Sequence, residues 1–136
     1  MKKRVHVAVG VISDGADRIL ISRRADHLHQ GGLWEFPGGK VESNETVVDA
    51  LRRELFEELA INITAQEALM TIEHDYSDKS VLLDVWWISA FTGEPKGCEG
   101  QPLQWVAIAA LHEYAFPAAN QPIIAAVQEK LAATSA

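Results

Sequence analysis

Residues 38–59 read GGKVESNETVVDALRRELFEEL, and this stretch decides the fold prediction for the whole chain. It begins with two glycines and continues into a segment whose apolar residues recur every three to four positions, which predicts an amphipathic helix. Glu54, Glu57 and Glu58 stand at i, i+3 and i+4, so on a helix their side chains leave from one face. Neighbouring carboxylates repel one another. The pattern therefore fits either a solvated acidic face or a face that binds a hard divalent cation.

The spacing of the three acids alone leaves both alternatives open, and the residues around them decide between the two. Counted from Gly39, the order is five residues, Glu45, seven residues, Arg53-Glu54-Leu55, one residue, Glu57-Glu58, one residue, Ala60-Ile61. This order resembles the Nudix box, the loop–helix signature of the Nudix hydrolases, with every charged position filled. The departure is Ala60, where the family has glycine. Because glycine usually closes a helix in the left-handed conformation, we expect alanine either to cost about 1 kcal/mol or to bend the helix exit differently.

Composition and charge limit the classes of protein to which the chain can belong. Its 136 residues, 48% of them hydrophobic, suit a single domain over residues 1–136 with its own core. The net charge of −7 argues against stable nucleic-acid binding, which normally needs a basic face. A single cysteine, Cys98, excludes an internal disulfide. Neither a signal peptide nor a membrane span is predicted, so we expect a cytoplasmic monomer with no membrane partner.

The rest of the chain predicts several strands and a second helix. Strands are predicted at residues 5–12, 19–21, 68–76, 81–91 and 103–108, with loops at 25–32 and 92–102. The acidic helix should begin near Ser43, Asn44 or Thr46, and an amphipathic helix is predicted at 122–133. Strands on both sides of a central helix indicate the α+β class. The resemblance implies a Nudix-type α/β/α sandwich with a mixed β-sheet between helices.

The resemblance extends over nearly the whole chain. It is closest to the MutT-like branch of the family, which hydrolyses 8-oxo-dGTP. The residues that carry it are Lys2-Lys3, Gly10, Arg23-Arg24, Glu35-Phe36-Pro37-Gly38-Gly39-Lys40, Gly93-Glu94-Pro95, Glu99-Gly100-Gln101-Pro102, Trp105 and Phe116-Pro117-x-Ala119-Asn120-x-Pro122.

Several acidic residues are candidates for metal binding and catalysis. Hydrolysis of a triphosphate needs neutralised phosphate oxygens, a positioned water and a base, and divalent metal ions supply the first two. By the resemblance, Mg2+ is the expected cofactor, with Mn2+ as a substitute. The predicted catalytic residues are Glu54, Glu57 and Glu58, and the predicted metal ligands are Gly38 (through its carbonyl), Glu54, Glu57, Glu58 and Glu99. Two alternatives stay open: Glu54 is the base or a ligand, and Glu99 is a ligand or a solvated loop acid. Glu45 and Arg53 are expected to form a structural ion pair.

A second group of residues is predicted to bind substrate. Asn120 can offer a donor and an acceptor to a purine edge, although an asparagine before a helix also suits an N-cap. Phe36 is the expected wall of the base slot. The complete predicted set is Arg24, His29, Glu35, Phe36, Pro37, Gly38 and Asn120. His29 is equally well explained as a solvated loop histidine, and at Lys79 the MutT-like branch has arginine.

The expected function is that of a Mg2+-dependent pyrophosphohydrolase that cuts a nucleoside triphosphate between its α and β phosphates. The resemblance implies 8-oxo-dGTP as substrate, and hence a role in clearing oxidised nucleotides and avoiding mutation. One alternative keeps the chemistry and changes the substrate to another nucleoside triphosphate, a dinucleoside polyphosphate or ADP-ribose. The other is a non-catalytic module that senses nucleotides or DNA lesions.

Overall fold

The computed structural model describes residues 3–27 and 31–135, which form one mixed β-sheet with helices on both faces. In these residues the strands are β1 (Lys3–Ser13), β2 (Arg18–Arg23), β3 (Trp34–Glu35), β4 (Gly38–Lys40), β5 (Asn62–Asp75), β6 (Lys79–Thr92) and β7 (Leu103–Ala107). The α-helices are α1 (Val47–Leu59) and α2 (Gln121–Ser135), and 3-10 turns cover Ile108–Glu113 and Ala118–Asn120. None of the described helices is long and apolar enough to cross a membrane.

The sheet is mixed because β1 and β6 are parallel, whereas the other paired strands are antiparallel. The strand order is β3-β2-β1-β6-β5, with β4 also paired to β1 and β7 to β2. The parallel ladder runs from Lys3 opposite Lys79 to Ile12 opposite Ile88, and places β1 at the centre of the sheet. The predicted mixed sheet is therefore confirmed.

Two hydrophobic clusters hold the helices against opposite faces of the sheet, because successive side chains of a strand point to opposite faces. On one face Ala8 packs in a cluster with Leu51 and Leu55 of α1. On the other face Val9 packs in a cluster with Ile123 and Val127 of α2. This arrangement is the predicted α/β/α sandwich.

Both ends of α1 are determined by local chemistry. Thr46 is the N-cap among the three candidates, since its Oγ1 accepts a hydrogen bond from the Asp49 amide at 3.1 Å. At the other end Ala60 has φ 60° and ψ 33°, and its amide donates to the Phe56 carbonyl at 2.9 Å. Ala60 thus takes the left-handed conformation that glycine normally occupies. Of the two expected outcomes, the helix exit keeps its geometry and the alanine bears the strain.

Besides shifts of one or two residues at the ends of other elements, two segments differ from the prediction. The strand predicted at 68–76 begins six residues earlier, at Asn62, because this whole segment pairs with β6. The glycine turn before α1 contains the short strand β4, which pairs with β1. In both cases pairing with a strand distant in sequence overrides a weak local preference.

Candidate active site

The two glycines of β4 bring the backbone close to β1 and to α1. Gly38 lies opposite Val9, and a β-carbon at position 38 would overlap the carbonyl oxygen of Ala8. At Gly39 a β-carbon would overlap the carboxylate of Glu54. The absence of side chains at these two positions therefore lets β4 pair with β1 while Glu54 packs against its backbone.

Arg53 fixes the position of the Glu54 carboxylate. Its guanidinium donates to both oxygens of Glu45, at 2.8 and 2.9 Å, and its Nη1 donates to Glu54 Oε1 at 2.8 Å. Arg53 Nη2 also donates to the Lys40 carbonyl at 3.1 Å. The hydrogen bonds from Arg53 lower the pKa of Glu45 to about 2, so Glu45 stays ionised in this pair. The expected ion pair between Glu45 and Arg53 is present.

Glu58 is the acid of α1 whose environment is most unusual. Its Oε2 is buried and has no hydrogen-bond partner among the described residues. Burial raises the pKa of Glu58 to about 9, and a hydrogen bond with Glu54 and the charge of Glu54 act in the same direction. The negative charges of Glu35 and Glu99 raise it further. A carboxyl group in this setting favours either a proton or a cation.

These acids meet in a cleft of about 540 Å³, which we call the acidic cleft; it is lined by Glu35, Glu54, Glu58 and Glu99 together with Gly38. The guanidinium groups of Arg23 and Arg24 and the imidazole of His27 also line the cleft. Burial raises the pKa of Glu35, although Arg24 donates to its carboxylate at 3.1 Å and opposes the shift. The cleft therefore combines oxygen ligands with guanidinium groups that can bind an anion.

A second cavity of about 290 Å³, which we call the apolar slot, adjoins the acidic cleft. Its apolar lining comes largely from alternate residues of β1 and β6: Val5, Val7, Val9, Val81 and Leu83. Phe36 also lines it and is stacked on Phe116, with ring centroids 5.1 Å apart and an interplanar angle of 18°. Asn120 lines the slot next to α2. The slot thus combines an apolar lining with an amide that can donate and accept hydrogen bonds.

The two cavities share part of their lining, since Arg24, Glu35 and Gly38 belong to both.

The sequence model of the NUDIX domain matches residues 8–126, which include the box on α1 and most residues of both cavities. The chain belongs to the NUDIX domain family. The prediction of a Nudix hydrolase is confirmed.

Individual relatives cover almost the whole chain. It is 39% identical over 123 residues to the 8-oxo-dGTP diphosphatase of Escherichia coli, an alignment that covers 90% of this chain and 95% of that protein. It is 35% identical over 135 residues to the CTP pyrophosphohydrolase of the same bacterium, with 98% of each chain covered. A solved structure from a study of MutT of Aliivibrio salmonicida and Vibrio cholerae is 42% identical with a TM-score of 0.82, and covers 94% of this chain and 99% of that one.

Most of the predicted site residues of this Nudix chain lie on one of the two cavities. Glu54, Glu58 and Glu99 line the acidic cleft; Phe36 and Asn120 line the apolar slot; Arg24, Glu35 and Gly38 line both. The backbone amide of Asn120 donates to the Pro117 carbonyl at 2.9 Å, within the 3-10 turn that runs directly into α2.

Three predicted residues lie elsewhere. Glu57 does not line the acidic cleft; its side chain is 57% exposed and its Oε2 lies 3.5 Å from Arg53 Nη1. Pro37 is buried and lines neither cavity, and its carbonyl accepts a hydrogen bond from the Gly10 amide at 2.8 Å. His29 lies outside the described residues.

The acidic residues fit a hard divalent cation, which Nudix hydrolases generally need. Within residues 3–27 and 31–135, no group of three or more His, Cys, Asp or Glu side chains is arranged so that it could hold a metal ion. The available donor atoms are nevertheless suitable, because each is an oxygen of a carboxylate or of a backbone carbonyl. The buried Glu58 Oε2, for which no described residue supplies a partner, is the observation that favours a cation here.

Some cavity residues were missed by sequence reasoning. Tyr76 lines the apolar slot beside Lys79, a position that the sequence did point to, and Lys79 Nζ lies 5.8 Å from the centroid of the Tyr76 ring. His27 and Gln101 line the acidic cleft. The valines of β1 carried a usable signal, since alternate residues of a strand share one face, but only the pairing with β6 shows that this face is partly open.

Proposed function

We propose that this chain is a Mg2+-dependent pyrophosphohydrolase that converts 8-oxo-dGTP to 8-oxo-dGMP and pyrophosphate. The observation that carries the proposal is the continuity of the apolar slot with the acidic cleft through Arg24, Glu35 and Gly38. A nucleotide has the same division, with a planar base at one end and a polyphosphate at the other. The 39% identity to the 8-oxo-dGTP diphosphatase of Escherichia coli supports this choice of substrate.

The base would occupy the apolar slot. Phe36 presents an aromatic surface that Phe116 supports from behind, which suits stacking against a planar ring. Asn120 can pair with two adjacent polar atoms on a purine edge, because its amide has both a donor and an acceptor. We therefore assign Asn120 to base recognition rather than to capping of α2.

The metal would be held by the Gly38 carbonyl and the carboxylates of Glu58 and Glu99, with Glu57 reaching it from the exposed side of α1; of its two alternative roles, Glu54 would take that of the base. When bound, it would neutralise phosphate oxygens and lower the pKa of a water. Mn2+ is expected to replace Mg2+ because both accept carboxylate oxygens.

Side chains of the cleft would do the remaining work. Glu54 would orient the attacking water and accept its proton, and Arg53 and Gly39 fix the carboxylate that does so. Arg24, at the boundary of the two cavities, would donate to a phosphate and keep the triphosphate in line with the cleft. Cleavage between the α and β phosphates then releases pyrophosphate.

The proposal includes the setting of the activity. The enzyme would act as a single domain over residues 1–136 and as a monomer in the cytoplasm, where it removes oxidised nucleotides before DNA synthesis. A net charge of −7 supports a free nucleotide rather than a nucleic acid as its partner.

A second candidate keeps the chemistry and changes the base. The alignment with the CTP pyrophosphohydrolase of Escherichia coli spans 98% of both chains, a larger share than the alignment with the 8-oxo-dGTP diphosphatase. Under this alternative the slot would take a pyrimidine.

The deciding experiment compares kcat/KM for 8-oxo-dGTP, dGTP and CTP with Mg2+ present. We expect the highest value for 8-oxo-dGTP, with pyrophosphate as product. Equal values for 8-oxo-dGTP and dGTP would remove the sanitation role, and the highest value for CTP would establish the second candidate. Glu54→Gln should lower kcat roughly 10²- to 10⁴-fold. Glu73→Gln, which changes a surface carboxylate paired with Arg4, is the matched control and should retain activity.

A further inference from the structure

Gln101 lies in the loop between β6 and β7, and its side chain connects two acidic residues of the site. Its Nε2 donates to the carbonyl of Glu58 at 3.1 Å. Its Oε1 accepts from the backbone amide of Glu99 at 2.8 Å. One amide group therefore joins the end of α1 to the residue that the loop places in the acidic cleft.

Backbone contacts dock the rest of this loop on α1. The Cys98 amide donates to the Glu58 carbonyl at 3.0 Å, and the Lys96 amide donates to the Leu59 carbonyl at 2.9 Å. The last carbonyls of a helix have no partner within the helix, so these bonds satisfy groups that α1 leaves free. They attach the loop before Glu99, whereas the Gln101 side chain holds Glu99 itself.

A close turn keeps Gln101 in place. A β-carbon at Gly97 would overlap the Gln101 carbonyl, so the two ends of the turn at 97–101 are in contact. Gln101 is half-buried and lines the acidic cleft beside Glu58 and Glu99. A side chain that is packed, and whose amide nitrogen and oxygen are both hydrogen-bonded, has little freedom to move.

We infer that Gln101 is a positioning residue that sets the distance between the carboxylates of Glu58 and Glu99 across the acidic cleft. This inference rests on the proposed function, because it matters only if both carboxylates act on the same cation. Groups that orient metal ligands commonly change metal affinity or activity when they are lost, by roughly 10- to 100-fold. Gln101 holds its two acids through the backbone, and so acts on the ligands without replacing either.

The test uses Gln101→Met, which keeps the length of the side chain and removes both hydrogen bonds. Binding of Mn2+ alone to the full chain is measured by calorimetry, and hydrolysis of 8-oxo-dGTP is measured separately. We expect Mn2+ to bind about 10- to 100-fold more weakly, and kcat to fall more than KM changes. The matched control is Gln104→Met, at an exposed glutamine whose Nε2 donates only to the adjacent Trp105 carbonyl, at 3.3 Å, among the described contacts; it should leave both readouts unchanged.

A double-mutant cycle separates positioning from a general effect on the fold. Glu99→Gln should weaken Mn2+ binding in the wild-type background and have little further effect in Gln101→Met, because both changes remove the same contribution. Additive losses would overturn the inference. So would a higher KM with unchanged Mn2+ binding, since Gln101 would then contact substrate directly.

Two further outcomes distinguish failure of the inference about Gln101 from failure of the proposed function. A wild-type chain that neither binds Mn2+ nor hydrolyses nucleotides would remove the proposed function. A fully active wild type with Gln101→Met equal to Gln104→Met would remove the inference alone. If Gln101→Met fails to fold, hydrogen exchange of the Glu99 amide in the wild type decides: protection supports the bond to Gln101, and rapid exchange contradicts it.

Discussion

The carboxylate of Glu54 packs directly against the backbone of Gly39, in the space that a β-carbon at position 39 would fill. Arg53 holds the same carboxylate from the other side, through Nη1 at 2.8 Å. The glycine that precedes the acidic helix therefore does more than permit a turn. It leaves room for the proposed base at the mouth of the acidic cleft.

Gly39→Ala should reduce activity far more than stability. The added methyl group displaces Glu54, whose flexible side chain can move aside, so the fold should survive while kcat falls on the order of 100-fold. Gly38→Ala is the matched comparison, because its methyl group meets the immovable backbone of Ala8 and should cost roughly 1–3 kcal/mol or more of the free energy of unfolding. Denaturant unfolding and kcat, measured on both variants, test the contrast. Equal destabilisation by the two alanines would contradict it.

Without divalent cations, the free energy of unfolding should fall as pH rises. The pKa of Glu58 is about 9 in the folded chain and near its ordinary 4.5 in the unfolded chain, so the folded state binds the proton more tightly. This contribution is fully present below about pH 4.5 and is lost as pH approaches 9. Urea unfolding in the presence of a chelator, between about pH 5 and 9, measures the slope.

Glu58→Gln should flatten this dependence, because the amide does not titrate, and added Mg2+ should flatten it in the wild type by stabilising the ionised form. Glu57→Gln is the control, since the Glu57 side chain is 57% exposed and its replacement should leave the slope unchanged. An identical slope in all three proteins would show that another group is responsible.

Asn120→Ala should reduce selectivity between bases more than it reduces hydrolysis. A bidentate contact to a purine edge is worth roughly 1–3 kcal/mol of discrimination. The ratio of kcat/KM for 8-oxo-dGTP to kcat/KM for CTP should therefore fall by the factor that corresponds to this free energy. Gln121→Ala, at the exposed first residue of α2, serves as control. A uniform loss for all nucleotides, accompanied by lower stability, would return Asn120 to the helix-capping role.

Ala60→Gly should stabilise the protein by about 1 kcal/mol, because Ala60 has φ 60° and glycine adopts this conformation without steric cost. Ala50→Gly, inside α1, should have the opposite effect by a similar amount. Urea midpoints of the two variants measure both changes. A stability loss in Ala60→Gly would indicate that unfolded-state entropy outweighs the relief of strain.

The sequence by itself determined the acidic helix, the family and the α/β/α class. Periodicity places Glu54, Glu57 and Glu58 on one helix face, the spacing from Gly39 to Ile61 resembles the box, and the α/β/α class is what the resemblance over nearly the whole chain implies. Local order also limited the N-cap to three residues, one of which is Thr46. The acidic helix and its cap depend on residues close in sequence, whose relative positions a helix or a turn fixes.

Only the tertiary structure decided how the three acids differ and how the cavities form. The Oε2 atom of Glu58 is buried, whereas the side chain of Glu57 is 57% exposed, and the loop carrying Glu99 docks on the backbone of Glu58 at the end of α1. Phe36 and Asn120 share a slot because β1 pairs in parallel with β6 and leaves part of one face uncovered by α2. Such pairings depend on many weak contacts between distant segments, and no local pattern encodes which segments will meet.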